Sequence, residues 1–171
     1  MKNNISDFSD MPLTQVVQKY TKLQEWGDEI EVNEERTNSE LGSSIGINNQ
    51  ACRFYIQVDE NSEQIKVFLY TPFSVPPSRM PEVARLLNII NSYSRLGCFA
   101  CADDDESNPI RFLAIIDVEG GVVSVEQIAT MMSAAVQRME GYFELFSVLT
   151  FTKRKALAVW KEFIEAEQKV S

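Results

Sequence analysis

The sequence predicts an α+β fold built on one antiparallel sheet, and three observations carry the prediction. Runs of alternating apolar and polar residues follow one another in adjacent groups, as antiparallel hairpins require. Amphipathic helical stretches stand singly between those groups instead of alternating strand by strand, which argues against a doubly wound sheet. A chain of 171 residues with 44% hydrophobic and 24% charged residues suits one domain around one core.

Met1 to Met11 is polar and is expected to be a flexible N-terminus. Pro12 can open a helix, where its missing N–H costs nothing. Leu13, Val16, Val17, Tyr20 and Leu23 continue it at helical spacing, and Gly27 is its expected stop. Asp28 to Gln50 is the least readable segment. Ile30 and Val32 alternate with acids, and one strand is expected within 28–50. Cys52, Phe54, Ile56 and Val58 line one face of a strand, and Ile65, Val67 and Leu69 one face of the next. With the turn-like Glu60-Asn61-Ser62-Glu63 between them, these two form an antiparallel hairpin. Pro72, Pro76 and Pro77 end the sheet, so Pro72 to Met80 is a connection.

A second helix starts near Pro81 with Val83, Leu86, Leu87, Ile90 and Tyr93 on one face, and Gly97 is its left-handed stop. Cys98–Ala102 and Ile110–Val118 are strands joined by an acidic loop from Asp103 to Pro109. Leu113 and Ile115 oppose the Phe112–Ala114–Ile116 face, so both sides of the last strand are expected to be partly covered, as in a sheet with helices on it. Ser124 and Gln127 form a capping box ahead of a long apolar stripe from Ile128 to Phe146. The run Val148–Thr152 is expected to break or bend that helix. Ala156, Leu157, Trp160, Phe163 and Ile164 begin another. The order is α-β-β-β-α-β-β-α with an extra C-terminal helix. Leu86, Leu87, Ile90, Phe112, Ile116, Ile128, Met132 and Phe143 should share one core.

Chemistry is scarce. The chain contains no histidine, which removes the commonest general base and the commonest metal ligand. Cys98-Phe99-Ala100-Cys101 is formally C-x-x-C, but it enters a strand, where residues three apart point to opposite faces. Both cysteines are therefore expected to be buried, structural and unpaired. Counted from Asp103, the acidic loop has Asn108 and Ala114 where a calcium-binding loop needs glycine and glutamate. Gly120-Gly121 matches no phosphate-binding pattern and reads as a tight turn. Met131, Met132 and Met139 read as core. No catalytic residue, metal site or cofactor is expected. A net charge of −9 argues against a nucleic-acid partner, and Lys153-Arg154-Lys155 reads as a solvated helix start. No apolar run is long enough to span a bilayer, the N-terminus lacks a secretory pattern, and three cysteines make no disulfide framework. The cytoplasm is the expected location.

The pair Asn88-x-x-Asn91 in an apolar helix, the Gly97 exit with its hairpin, and the helix start Ser124-Val125-Glu126-Gln127-Ile128 together resemble the YbjN-like family of bacterial proteins. The resemblance spans Thr14 to Phe146 in element order, and specific residues from Leu86 to Phe146. It implies a role as a sensory transduction regulator. It also implies a fold similar to type III secretion chaperones, small acidic α+β proteins that dimerise and bind extended client segments. No catalytic residues come with it. Asn88, Asn91, Gly97 and Ser124 match the family pattern, and the two asparagines are expected to be helix-flank amides bonding to the chain that leaves the hairpin. The chain departs from the pattern in the polar segment Asp28–Gln50 and in the helix after Thr152.

The expectation is thus a domain over 12–150 with a helical extension over 151–171. It would act without catalysis, as a protein-binding regulator or chaperone-like adaptor offering a sheet edge and an apolar groove to an extended peptide. The alternatives are a dedicated secretion chaperone, an enzyme using carboxylates or lysine, and a structural subunit with only a self-contact. A homodimer is expected, because four helices carry apolar faces while a five-stranded sheet has only two. Trp160 and Phe163 on the extra helix are its candidate partner surface.

Overall fold

A computed structural model describes residues 11–26, 31–33, 38–102 and 107–170. The order is α1 (Leu13–Leu23), β1 (Glu31–Asn33), β2 (Asn38–Ile47), β3 (Gln50–Asp59), β4 (Gln64–Ser74), α2 (Met80–Ser92), β5 (Cys98–Cys101), β6 (Pro109–Asp117), α3 (Val125–Phe151) and α4 (Ala156–Val170). The fold is α+β, with one antiparallel sheet ordered β1-β2-β3-β4-β6-β5. Among the described residues the sheet has six strands, not five. The segment expected to hold one strand holds two, because β2 pairs with β3 along ten residues while β1 adds a short rung to its far side. The turn that sets this register is Asn48-Asn49, both left-handed at φ 47° and 61°. A two-residue hairpin loop needs that conformation, and asparagine tolerates it.

The inward face of each strand follows from its alternation. Leu41, Ile47, Phe54, Ile56, Ile65, Val67, Leu69 and Phe112 are fully buried under α1 and α3. The expected core is present: seven of its eight residues are buried in one cluster, and Ile116 is half-buried against it. The proline-based boundary after Thr71 is corrected. Strand β4 runs on to Ser74, through a bulge between Tyr70 and Ser74 that absorbs Pro72. The Thr71 hydroxyl accepts the Ile110 N–H at 3.0 Å and donates to the Phe73 carbonyl at 2.9 Å, replacing rungs the proline cannot make.

The partial cover expected on both sides of β6 comes without helices on the second face. Among the described residues the helices lie on one face of the sheet only. Leu113 is half-buried and Ile115 is 48% exposed on the other. The Gly27 stop and Asp103–Glu106 of the acidic loop fall outside the described residues. So do Met1–Asp10.

Several helix ends have an identifiable partner. The Glu60 carboxylate, on the β3–β4 turn, accepts the Leu13 and Thr14 N–H groups at 3.0 and 2.8 Å and caps α1 from 46 residues away. The Ser124–Gln127 capping box forms as the spacing predicts. Helix α3 stops at Phe151, inside the β-branched run expected to break or bend it. Two residues at the start of α2 hold the α3–α4 joint. Arg79 donates to the carbonyls of Leu149 and Arg154, and Glu82 accepts the Ala156 N–H at 2.8 Å and the Lys155 ammonium at 3.0 Å. No helix of the described residues is long and apolar enough to cross a membrane.

Candidate functional site

Strand β5 is a sheet edge, and its backbone shows how the edge is managed. Ala102 donates its N–H to the Pro109 carbonyl at 2.8 Å, which sets the even-numbered residues of β5 as those bonded to β6. Phe99 and Cys101 therefore direct their N–H and C=O groups outward. The Asn91 amide meets both groups of Phe99: its Nδ2 donates to the carbonyl and its Oδ1 accepts the N–H, each at 2.8 Å. One side chain thus imitates a neighbouring strand for one residue. Among the described residues the outward groups of Cys101 have no such mimic, and Cys101 lines a groove between α2 and β5.

That groove has a volume of about 430 Å³. Ala84, Leu87 and Asn88 come from α2, Phe99 and Cys101 from β5, and Met80 and Asn108 close its end. It is apolar along its length with amides at its rim. Asn88 and Asn91 lie one helical turn apart and have different surroundings: Asn91 is tied to β5, and Asn88 is exposed at the groove. Gly97 does not end α2, which stops at Ser92. At φ +70° it turns the chain into β5, and an added Cβ there would collide with the Phe112 ring and stand 2.6 Å from the Leu113 carbonyl oxygen. Ser94 donates to the Gly97 carbonyl at 2.7 Å and tightens the same turn. Ser124 lies at the far end of α3 as a cap and takes no part in the groove.

The C-x-x-C thiols diverge as expected for a strand, and all three cysteines are free. Their expected burial is corrected: Cys98 is exposed and Cys101 half-buried, because Cys98 sits on the face of the sheet without helices. Burial pushes the Cys101 thiol up and that of Cys52 up to about 11.

Trp160 and Phe163 are half-buried within the chain's own fold. Trp160 stacks on Tyr93 with centroids 5.9 Å apart, and both rings pack on Tyr142 at 6.4 and 5.8 Å. Helix α4 thus covers the seam between α2 and α3.

A second surface escaped the sequence reading. On the open face of the sheet, Tyr55, Phe68 and Leu113 form one cross-strand row, with Tyr70 and Arg111 beside it. Tyr55 and Tyr70 meet edge to face at 5.7 Å, the Arg111 guanidinium lies 5.6 Å over the Phe68 ring, and the Tyr55 ring covers Gly42. The signal was present as polar-face positions of β3 and β4 that are aromatic, but alternation alone marks them only as facing away from the core.

Two solved structures share the fold. YbjN from E. coli superposes with a TM-score of 0.52 at 16% identity, covering 80% of this chain and 91% of that one. The ExsC–ExsE complex superposes at 0.56 and 12% identity, covering 84% and 100%. No curated protein sequence matches. The family model described as "Putative bacterial sensory transduction regulator" matches residues 20–147. On that match, which takes in the whole sheet from β1 to β6 and most of α3, the chain belongs to the YbjN family.

Proposed function

We propose that this protein is a non-enzymatic regulator or chaperone-like adaptor that binds an extended segment of a partner protein in the α2–β5 groove. The observation that carries the reading is the half-managed edge. Asn91 blocks pairing at Phe99, while Cys101 leaves a donor and an acceptor facing an apolar channel. A segment in the groove pairs there with the backbone and seats apolar side chains on Leu87 and Phe99. Asn88 is placed to bond the segment's own backbone. The fold shared with ExsC, whose solved structure is a complex with ExsE, supports the reading. A dedicated secretion chaperone with a single client would use the same groove. The protein acts in the cytoplasm, as a homodimer.

The test is retention of a partner from a lysate of the native host. Wild-type protein should recover a partner. Ala84→Arg, which fills the groove from an exposed helix position, should lose it. With the purified partner, exchange of the Cys101 amide should slow on binding. A partner held equally by Ala84→Arg, with Cys101 exchange unchanged, would refute the groove.

A further inference from the structure

We propose that the open face of the sheet docks a second copy of this chain, sheet against sheet across a twofold axis. The inference names the surface of the homodimer proposed above and rests on that assembly. Its basis is the way charge is distributed along the strands. Toward one end of the face stand the cations Arg53 and Arg111; toward the other stand the acids Glu40, Asp59 and Asp117. The row of Tyr55, Phe68 and Leu113 lies between them. A twofold axis that runs across the strands turns each end onto the opposite end of the partner. With the axis between the Phe68–Leu113 row and the Lys66–Ile115 row, Arg111 lies over the partner's Asp117 and Arg53 over the partner's Asp59. Leu113 then meets the partner's Ile115, and Lys66 meets the partner's Phe68. The face is complementary to itself, as an isologous contact requires.

Two further observations point the same way. Among the described residues the Arg111 Nε is enclosed and has no hydrogen-bond acceptor, and its guanidinium makes no ion pair with a carboxylate. The area is of the right order. Strands β2, β3, β4 and β6 have 9 to 11 residues each. At about 3.4 Å per residue and about 4.8 Å between strands they present a plane of roughly 600 Å² before side-chain relief is added. Stable interfaces bury about 800 Å² per partner. Stacked sheets also tolerate the rotation of about 30° that their twist imposes. A nucleic acid would meet the four outward acids Glu31, Glu40, Asp59 and Asp117, which outnumber the cations Arg53, Lys66 and Arg111 on the same face.

Light scattering and sedimentation on the full chain test this. The wild type should weigh about twice 19.4 kDa at micromolar concentration. Ile115→Asp, at an exposed position, should shift it to 19.4 kDa with circular dichroism and melting unchanged. Arg111→Asp and Asp117→Arg should each weaken association by about tenfold or more, and the double swap should recover most of the loss. If Arg111→Asp fails to fold, Asp117→Arg and Ile115→Asp still decide the matter. A wild type of 19.4 kDa throughout the micromolar range would overturn the dimer and this surface together. A dimer indifferent to Ile115→Asp and Asp117→Arg would overturn the surface alone. Neither result touches the groove, whose readout is partner retention by Ala84→Arg.

Discussion

Asn91 shows how much one amide can hold. Its two hydrogen bonds occupy both exposed groups of Phe99, and without them a half-buried donor and acceptor are left on a four-residue strand. Asn91→Ala should lower stability by about 1–3 kcal/mol in urea unfolding, with faster exchange of the Phe99 amide. Asn88→Ala, at an exposed position, should leave both unchanged. The spacing of the two asparagines was legible in the sequence; their division of labour was not, because it depends on which flank of α2 meets β5. The cysteines divide in the same way. A thiol reagent applied to native protein should label Cys98 first and leave Cys52 untouched until unfolding, since Cys52 is buried with its thiol raised to about 11. Mass spectrometry of labelled peptides would check this, and early modification of Cys52 would contradict the packing of β3.

Element boundaries rest on partners that are distant in sequence. Helix α1 is capped by Glu60, and the α3–α4 joint is held by Arg79 and Glu82 of α2. The Ala156 N–H and the Lys155 ammonium hold the Glu82 carboxyl below its ordinary range. A carboxyl whose folded pKa is depressed stabilises the fold fully above its unfolded value, near 4.5, and the contribution disappears as pH falls through the folded pKa. Glu82→Gln should therefore be less stable than wild type at about pH 7 and should converge with it toward about pH 3, in parallel urea titrations. A gap that persists in acid would show that shape, and not charge, makes the contribution. The Ser124 cap was readable because a capping box lies within four residues. The Glu60 and Glu82 caps were not, because nothing local marks a carboxylate as serving a helix 46 or 74 residues away.

For the molecule as a whole, helix α4 decides what stays covered. Tyr93, Tyr142, Trp160 and Phe163 form a ring cluster joining α2, α3 and α4. A chain ending at Thr152 should expose Tyr142 and Tyr93, bind a hydrophobic dye and melt at lower temperature, with the sheet's circular dichroism kept. Unchanged melting would place α4 outside the cooperative unit.

Strand and helix identity, the shared core and the α+β class follow from alternation and helical spacing, which act over a few residues and are written directly in the chain. The second strand within 28–50 was written there too, in Asn48-Asn49 ahead of Gln50, but needed the left-handed turn to be recognised. Three things were settled only in three dimensions. The helices gather on one face of the sheet and leave Tyr55, Phe68, Leu113 and Ile115 on the other. Trp160 and Phe163 turn inward onto Tyr142. Asn91 closes one rung of the β5 edge while Cys101 faces the groove. The physical reason is common to all three. A periodic pattern reports that a face is apolar, but the identity of what covers it depends on contacts between elements far apart in the chain.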